Sequence, residues 1–236
     1  MNAERDEIRS LANSLAENAN GHVDDESFNH IGLTVNGITV ELHSIHGFMA
    51  NFVYNRRLQR WLKQNIDEQC NNMVALPNDA GLVVVPTHSF NVVYQLYHLY
   101  PHYSYEGVGL RQVVDYYFVL VKSEELIVKN SIALEREFKH LGFWKFAVAM
   151  MFVLHKVMGM QKDKMIAPMD ANRGQMLLDD ILNGVNFGHY DKHHVWGHNP
   201  LRLYRDARLL RYYPAEALSE PIFRTWHILW RMKNKK

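Results

Sequence analysis

Side chains able to bind a metal ion or transfer a proton are concentrated in the segment 28–44, FNHIGLTVNGITVELHS. This segment carries one carboxylate, Glu41, and two imidazoles, His30 and His43, among apolar and β-branched residues. Carboxylates and imidazoles bind divalent metal ions and transfer protons in enzyme sites. If the three side chains share one face of a sheet, they could share a metal ion, a proton or a ligand.

The dipeptide Asn36-Gly37 predicts the element that positions these side chains. Asn-Gly favours a two-residue type I′ turn, and strand-forming residues flank it on both sides, so the segment is expected to form a β-hairpin. The turn then sets Gly32 opposite Glu41 and His30 opposite His43. The solvent-exposed face of an ordinary hairpin would show the same alternation. The predicted faces are Thr34, Thr39, Glu41, His30 and His43 on the polar side and Ile31, Leu33, Val35, Ile38, Val40 and Leu42 on the apolar side.

A second group of polar side chains follows on two predicted helices. His98 falls on the polar stripe of the first helix, which Pro101 is expected to terminate, so His102 is not expected to be its helical neighbour. Arg111 and Asp115 lie four residues apart on the next helix and share a face. These two histidines, the arginine and the aspartate are candidate substrate-binding or anion-binding residues. An intrahelical ion pair with a capping histidine is the structural alternative.

A third group is the segment 186–198, NFGHYDKHHVWGH, which contains four histidines and Asp191. A metal site could use them, but the segment is predicted to be an irregular loop without a fixed ligand frame. A histidine-rich surface loop is the simpler interpretation. The motifs G-x-S-x-G, H-E-x-x-H, G-x-x-x-x-G-K-S/T and G-x-G-x-x-G are absent, so the common hydrolase and phosphate-loop signatures give no guide.

Composition limits the classes of function. The chain has 236 residues, of which 47% are hydrophobic, enough for one sizeable core or a small domain joined to a larger one. The net charge is +1, so no global field favours nucleic acid or an anionic membrane as a partner. The single cysteine, Cys70, excludes an intramolecular disulfide, and the N-terminal segment lacks an apolar signal core. We therefore expect a cytoplasmic protein without a nucleic-acid or membrane partner.

The spacing of apolar residues predicts an α+β fold. A small α/β part over residues 1–86 opens with a helix at Ala3 to Ala19, continues through a polar loop into the hairpin, and is followed by a helical domain over 87–236. The sheet would consist of the hairpin and one short strand at 82–85, which is too little to be stable alone. The sheet would need to pack against helices or against another chain, and its edge could pair with a second copy. Helices are also predicted near 48–69, 109–121, 123–140, 143–158, 173–183, 200–212 and 214–232.

The order of these segments resembles that of a known family. An amphipathic helix, a loop, a hairpin ending in ITVELHSIH, a long helix and then YQLYHLYPHYSYEGVGLRQVVDYYFVL resemble the uncharacterised bacterial nucleotidyltransferase family of the DNA polymerase beta-like nucleotidyltransferase superfamily. The resemblance covers roughly residues 5–160. Its motifs are E-L-H at the end of a strand, then H-x-x-x-H, then G-x-R-x-x-x-D.

The resemblance implies an activity and assigns residues to it. Members of the family would transfer a nucleoside monophosphate to the hydroxyl of a small molecule, using Mg²⁺ ions held by an Asp-x-Asp pair and a third carboxylate. Glu41 would match the third carboxylate, as catalytic residue and metal ligand, with His43 following it. The motif of the helical domain would correspond to His98, His102, Arg111 and Asp115.

The chain departs from the family pattern at its first strands. Family members carry a Gly-Ser turn for the phosphates and the Asp-x-Asp strand upstream of the helix that opens this chain. The nearest acidic run, Asp24-Asp25-Glu26, is predicted to lie in a loop and lacks the alternation that puts two carboxylates on one strand face. One carboxylate cannot bind two Mg²⁺ ions tightly. We therefore expect a truncated or degenerate nucleotidyltransferase-like protein that is inactive alone.

Two other functions remain open. A non-enzymatic helical binding module would self-associate, or pair with another subunit, through the edge of the hairpin. A histidine-based metallohydrolase would use His98, His102 and Asp115, or the 186–198 loop.

Overall fold

The computed structural model describes residues 2–26, 28–105, 107–183 and 209–234. Helices dominate and two small antiparallel sheets accompany them, which confirms the predicted α+β class. No helix in these ranges is long and apolar enough to cross a membrane. The predicted 186–198 loop and most of the predicted helix at 200–212 lie outside the described residues.

The chain forms two compact units, Met1–Phe48 with Glu220–Lys236 and Met49–Ser219. This division differs from a boundary at residue 86, since the helix and the two short strands that follow the hairpin belong to the second unit. The strands are β1 (His22–Glu26), β2 (His30–Val35), β3 (Ile38–His43), β4 (Met73–Ala75) and β5 (Leu82–Val84). The helices are α1 (Asn2–Asn18), α2 (Phe52–Asn71), α3 (His88–Tyr105), α4 (Leu110–Lys122), α5 (Glu124–Leu141), α6 (Trp144–Met158), α7 (Ala171–Asn183) and α8 (Pro214–Asn234).

Strand β2 is the centre of a three-stranded antiparallel sheet in the first unit, with the order β1-β2-β3. Its pairing with β3 has the predicted register, with Gly32 opposite Glu41 and His30 opposite His43. In the turn between them φ is +51° at Asn36 and +76° at Gly37, as a type I′ turn requires. The hairpin and its register are confirmed.

Strand β1 forms where the sequence predicts a polar loop, so that prediction was wrong. Its first residues pair with Thr34 and Leu33 of β2, and a β-bulge then brings Glu26 opposite Ile31. The strand reads HVDDE and has a single apolar side chain, which hides it from a search for alternating hydrophobicity. The open edge of β2 supplies the backbone hydrogen bonds that make this polar segment a strand.

The apolar face of this sheet is buried on β2 and largely open on β3. Ile31 and Leu33 are almost completely buried, whereas Ile38 of β3 is 66% exposed. Helix α1 contacts β2, and its buried residues are Ala12 and Ala16. Side chains as small as alanine let a helix backbone approach a strand closely, which favours burial of the nearest strand over its neighbour.

An aromatic cluster holds the rest of the first unit together. The Phe28 ring makes edge contacts with Phe48 and Phe223, at centroid distances of 4.7 and 5.6 Å. Arg5 of α1 donates a hydrogen bond to the Phe28 carbonyl at 2.9 Å, and its guanidinium lies 4.5 Å from the centre of the Trp230 ring. A cation over an indole adds an electrostatic attraction to this packing.

Helix α6 is the most buried element of the second unit. Apolar residues surround it on nearly all sides, which is typical of a helix inside a core. Tyr116 of α4 is fully buried, and its hydroxyl donates a hydrogen bond to the Val92 carbonyl at 3.0 Å. Other large side chains of this core that are essentially fully buried are Tyr97, Phe138, Phe143 and Phe146.

Helix α3 does not end at Pro101, contrary to the prediction from the sequence. It continues to Tyr105 with the proline inside its last turns. A proline removes one backbone donor and crowds the preceding turn, a cost that neighbouring packing can offset near a helix end. Here Tyr103 is buried, and its hydroxyl donates to the Asp180 carboxylate of α7 at 2.8 Å. His98 and His102 are therefore helical neighbours after all.

The short strand predicted at 82–85 exists as β5, but it does not join the hairpin. It pairs with β4, which the sequence does not reveal, in a separate two-stranded sheet of the second unit. We call this segment, residues 73–84, the β4–β5 arm. All of its residues are exposed, including Leu82 at 68% and Val83 at 38%.

Candidate functional site

The polar face of the three-stranded sheet brings the first group of candidate residues together. His30 and His43 face each other across β2 and β3, and Glu41 lies on the same face two residues before His43. The donor atoms of the three side chains all lie within 4.8 Å of one another. In the part of the chain that the structure describes, this is the one group of three or more histidine, cysteine or acidic side chains with that property.

Hydrogen bonds orient two of the three side chains. His43 Nε2 lies 3.1 Å from Glu41 Oε2, so the carboxylate accepts a hydrogen bond from the imidazole N–H. His30 Nδ1 lies 3.2 Å from the amide oxygen of Asn29. Because an amide oxygen only accepts, this contact selects the tautomer in which Nδ1 of His30 carries the proton, and Nε2 of the neutral ring then keeps a lone pair.

The site is open to solvent. The side chain of His43 is 39% exposed and that of Glu41 is 53% exposed. A ligand or metal ion could reach both without movement of the backbone. A carboxylate beside two imidazoles can orient a ring for proton transfer or can bind one divalent cation.

Asp24 is a polar residue of this face that the sequence did not single out. Its carboxylate accepts a hydrogen bond from the Thr34 hydroxyl at 2.9 Å and lies 2.9 Å from His22 Nε2. It is not one of the three clustered donors. The pairing of β1 with β2 is what puts Asp24 here, and the sequence signals it only as an acidic run before the hairpin.

In the second group of candidates, the side chains of His98 and His102 are in contact, whereas those of Arg111 and Asp115 are not. Nε2 of His98 and Nε2 of His102 lie 3.2 Å apart on successive turns of α3, so one ring donates to the other. Arg111 and Asp115 are both exposed on α4, and neither forms an ion pair within the described part of the chain. Asp115 does not complete a three-donor group with the two histidines. All four belong to the second unit, whereas Glu41 and His43 belong to the first.

The shifted pKa values of the second unit belong mainly to buried tyrosines of its core. Burial raises the pKa of Tyr116 well above its ordinary value, and burial followed by the charge of Glu216 does the same for Tyr100. These hydroxyls stay protonated at every physiological pH. Both tyrosines are buried in the core and lie outside both groups of candidate residues.

A cleft of about 440 Å³ opens in the second unit between α5 and the segment 162–169. Its lining is largely apolar, and includes Ile132, Trp144 and Met165. None of the candidate residues predicted from the sequence lines it.

Comparison of the chain with protein-family models, with curated proteins and with solved structures finds no match.

Proposed function

We propose that this chain is a nucleotidyltransferase-like protein that binds a nucleoside triphosphate at the polar sheet face of Glu41 and His43 and is inactive in transfer alone. The observation that supports the proposal most directly is the strand register, because it puts the carboxylate of the E-L-H motif on a solvent-facing sheet surface beside an imidazole. The activity of the wider family would be transfer of a nucleoside monophosphate to a small-molecule hydroxyl, with release of pyrophosphate.

The donor set of this face does not fit a pair of magnesium ions. Mg²⁺ prefers oxygen ligands in near-octahedral geometry, and pairs of such ions are bound by several carboxylates. The clustered donors here are one carboxylate and two imidazoles. No step of the transfer is therefore assigned to magnesium on these residues, and this mismatch is the reason for proposing an inactive chain.

The Glu41–His43 pair supplies the chemistry that this face retains. A carboxylate 3.1 Å from an imidazole orients the ring. A protonated ring donates hydrogen bonds to phosphate oxygens, while the neutral ring accepts a proton from a hydroxyl. Arg111, on the second unit, remains a proposed anion-binding residue in its own right.

Thermal unfolding in the presence of nucleotides tests this proposal. A ligand that binds only the folded chain stabilises it by about 2.7 kcal/mol at a concentration of 100 times Kd, so at least one of the four nucleoside triphosphates should raise Tm. Glu41→Gln and His43→Ala should reduce the shift, and Glu7→Gln, which changes an exposed carboxylate of α1, should not.

Two results would contradict the proposal. One is the absence of any change in Tm with all four triphosphates at millimolar concentration. The other is pyrophosphate release by the purified chain with Mg²⁺, because the chain would then be active alone, and a rate that Glu41→Ala leaves unchanged would assign that activity to other residues.

A specific observation favours a second candidate function, a non-enzymatic module that associates with a second copy of itself. The β4–β5 arm exposes apolar side chains on both strands, and β3 exposes Ile38 at the edge of the other sheet. Unpaired strand edges with apolar side chains readily add another strand. This function predicts concentration-dependent association without any effect of nucleotide on Tm.

A further inference from the structure

The three donors on the polar sheet face have a composition that selects a different metal from magnesium. We propose that His30, Glu41 and His43 bind one Zn²⁺ ion, in a two-histidine, one-carboxylate site. This inference goes beyond the proposed function because it requires no nucleotide.

The backbone already places the three ligands in register. His30 and His43 are directly paired across two strands, and Glu41 is on the same face two residues away. Ligands that project from paired strands are held more precisely than ligands on loops. Binding therefore requires side-chain rotations and the release of the His43 Nε2 proton that now bonds Glu41.

The distances between the donors are close to those of a bound site. Two ligands at about 2.0–2.1 Å from a tetrahedral Zn²⁺ ion lie roughly 3.4 Å apart. The oxygen and nitrogen of Glu41 and His43 are 3.1 Å apart, and no pair of donors in the group exceeds 4.8 Å. Closing the widest pair requires at most about 1.4 Å of movement at the ends of exposed side chains.

Asn29 makes His30 a ready ligand. Its amide oxygen accepts the Nδ1 proton of His30, which leaves the lone pair on Nε2. Metal-binding histidines are commonly oriented in this way, with the second ring nitrogen donating to a carbonyl or carboxylate oxygen. The orientation exists without an ion, so binding does not have to establish the tautomer.

The ligand types favour zinc over magnesium. Imidazole nitrogen suits zinc and other late first-row ions, whereas Mg²⁺ binds oxygen and loses its water reluctantly. Three protein ligands leave a fourth position facing solvent, as the exposure of Glu41 and His43 shows. Among the described side chains no third donor forms a group with His98 and His102, so this pair should bind zinc more weakly.

Isothermal titration of the untagged, EDTA-stripped full chain with ZnCl₂ tests the proposal, with MgCl₂ titrated in parallel and no nucleotide present. We expect one tight Zn²⁺ site per chain and no comparable Mg²⁺ binding. His30→Ala, Glu41→Gln and His43→Ala should each weaken the tight site at least tenfold. Circular dichroism should show unchanged folding, and His43→Gln provides a second, more conservative variant.

Two control variants locate the ion. His98→Ala combined with His102→Ala, and the replacement of all four histidines of the 186–198 segment by alanine, should leave the tight site intact. Loss of tight binding in either control would overturn the proposal, as would a tight site that survives His30→Ala and His43→Ala, or the absence of any tight site. Because the zinc titration contains no nucleotide, failure of the zinc site and failure of nucleotide binding are separate results.

Discussion

Among single residues, Asp170 is a polar side chain that stabilises the fold. Asp170 immediately precedes α7 and caps it, since its carboxylate accepts a hydrogen bond from the backbone N–H of Arg173 at 3.0 Å and also pairs with the guanidinium of Arg173. Burial raises the pKa of Asp170, but the hydrogen bonds from Arg173 outweigh this and hold the pKa below its ordinary value. The charged form is thus favoured by the fold.

The change Asp170→Asn should therefore reduce stability in a pH-dependent way. Asparagine still caps the helix through its amide oxygen, but the charge and the hydrogen bond that the second carboxylate oxygen accepts from the Arg173 guanidinium are lost. We expect a decrease of about 1 kcal/mol in the free energy of unfolding at pH 7. A depressed native pKa means that this contribution is present above the unfolded pKa of about 3.9 and disappears as the pH falls through the native value.

Urea unfolding of both proteins at pH 7 and at progressively lower pH measures this difference. Asp179→Asn, on the exposed face of the same helix, is the control and should change stability by less than about 0.5 kcal/mol. A gap between wild type and Asp170→Asn that stays constant down to acid pH would contradict the role assigned to the charge.

At the scale of elements, local turn chemistry was predictable and long-range pairing was not. The Asn36-Gly37 turn determines the hairpin and its register from two residues, and with them the meeting of Glu41 with two histidines. Strand β1 depends on the free edge of β2, and the helical turn after Pro101 depends on the burial of Tyr103. Neither dependence is visible in local spacing.

The candidate site was predictable to the same extent. Glu41, His30 and His43 share a face because the turn fixes it, and the sequence gives that much directly. The contact between His98 and His102 was missed because a proline was expected to end their helix. Asp24 was missed because its place on the sheet comes from a strand with a single apolar side chain.

Uneven burial of the first sheet predicts very different costs for two changes on the same face. Leu33→Ala should lower the free energy of unfolding by about 2–5 kcal/mol, because Leu33 is fully buried and its truncation leaves a cavity. Ile38→Ala should change it by less than about 0.5 kcal/mol, because Ile38 is 66% exposed.

Urea unfolding monitored by far-ultraviolet circular dichroism compares the two variants. Equal losses at both positions would mean that β3 is covered as fully as β2, by this chain or by another copy. The comparison is internally matched, since both residues are aliphatic and lie on neighbouring strands of one sheet.

At the scale of the whole molecule, exposed apolar strands raise the question of association. The β4–β5 arm is fastened at its base, where the Asn72 side-chain amide donates to the Val85 carbonyl at 2.8 Å and the Thr87 backbone N–H donates to Gln69 Oε1 at 2.7 Å. The arm is thus an ordered β-structure with apolar side chains in water. A second copy of the same arm could pair with it under two-fold symmetry.

Val83→Lys should weaken any self-association of the chain. Sedimentation velocity over a range of protein concentrations should show association in the wild type and a shift towards monomer in the variant, because a charged residue on an edge strand opposes pairing. Ile132→Lys places the same charge at an exposed position of α5 and serves as the control. A monomeric wild type, or an equal effect of both lysines, would exclude the arm as the interface.

The turn that sets the hairpin register is also a site of slow spontaneous deamidation. Asn36 and Gly37 are both exposed, and an asparagine followed by glycine is the pair that most readily loses its side-chain amide through a cyclic imide. Reopening of the imide inserts an extra backbone carbon at this turn in part of the molecules. Aged preparations would then contain chains whose β2 and β3 no longer align, and in those chains Glu41 and the two histidines would drift apart without any change in the encoded sequence.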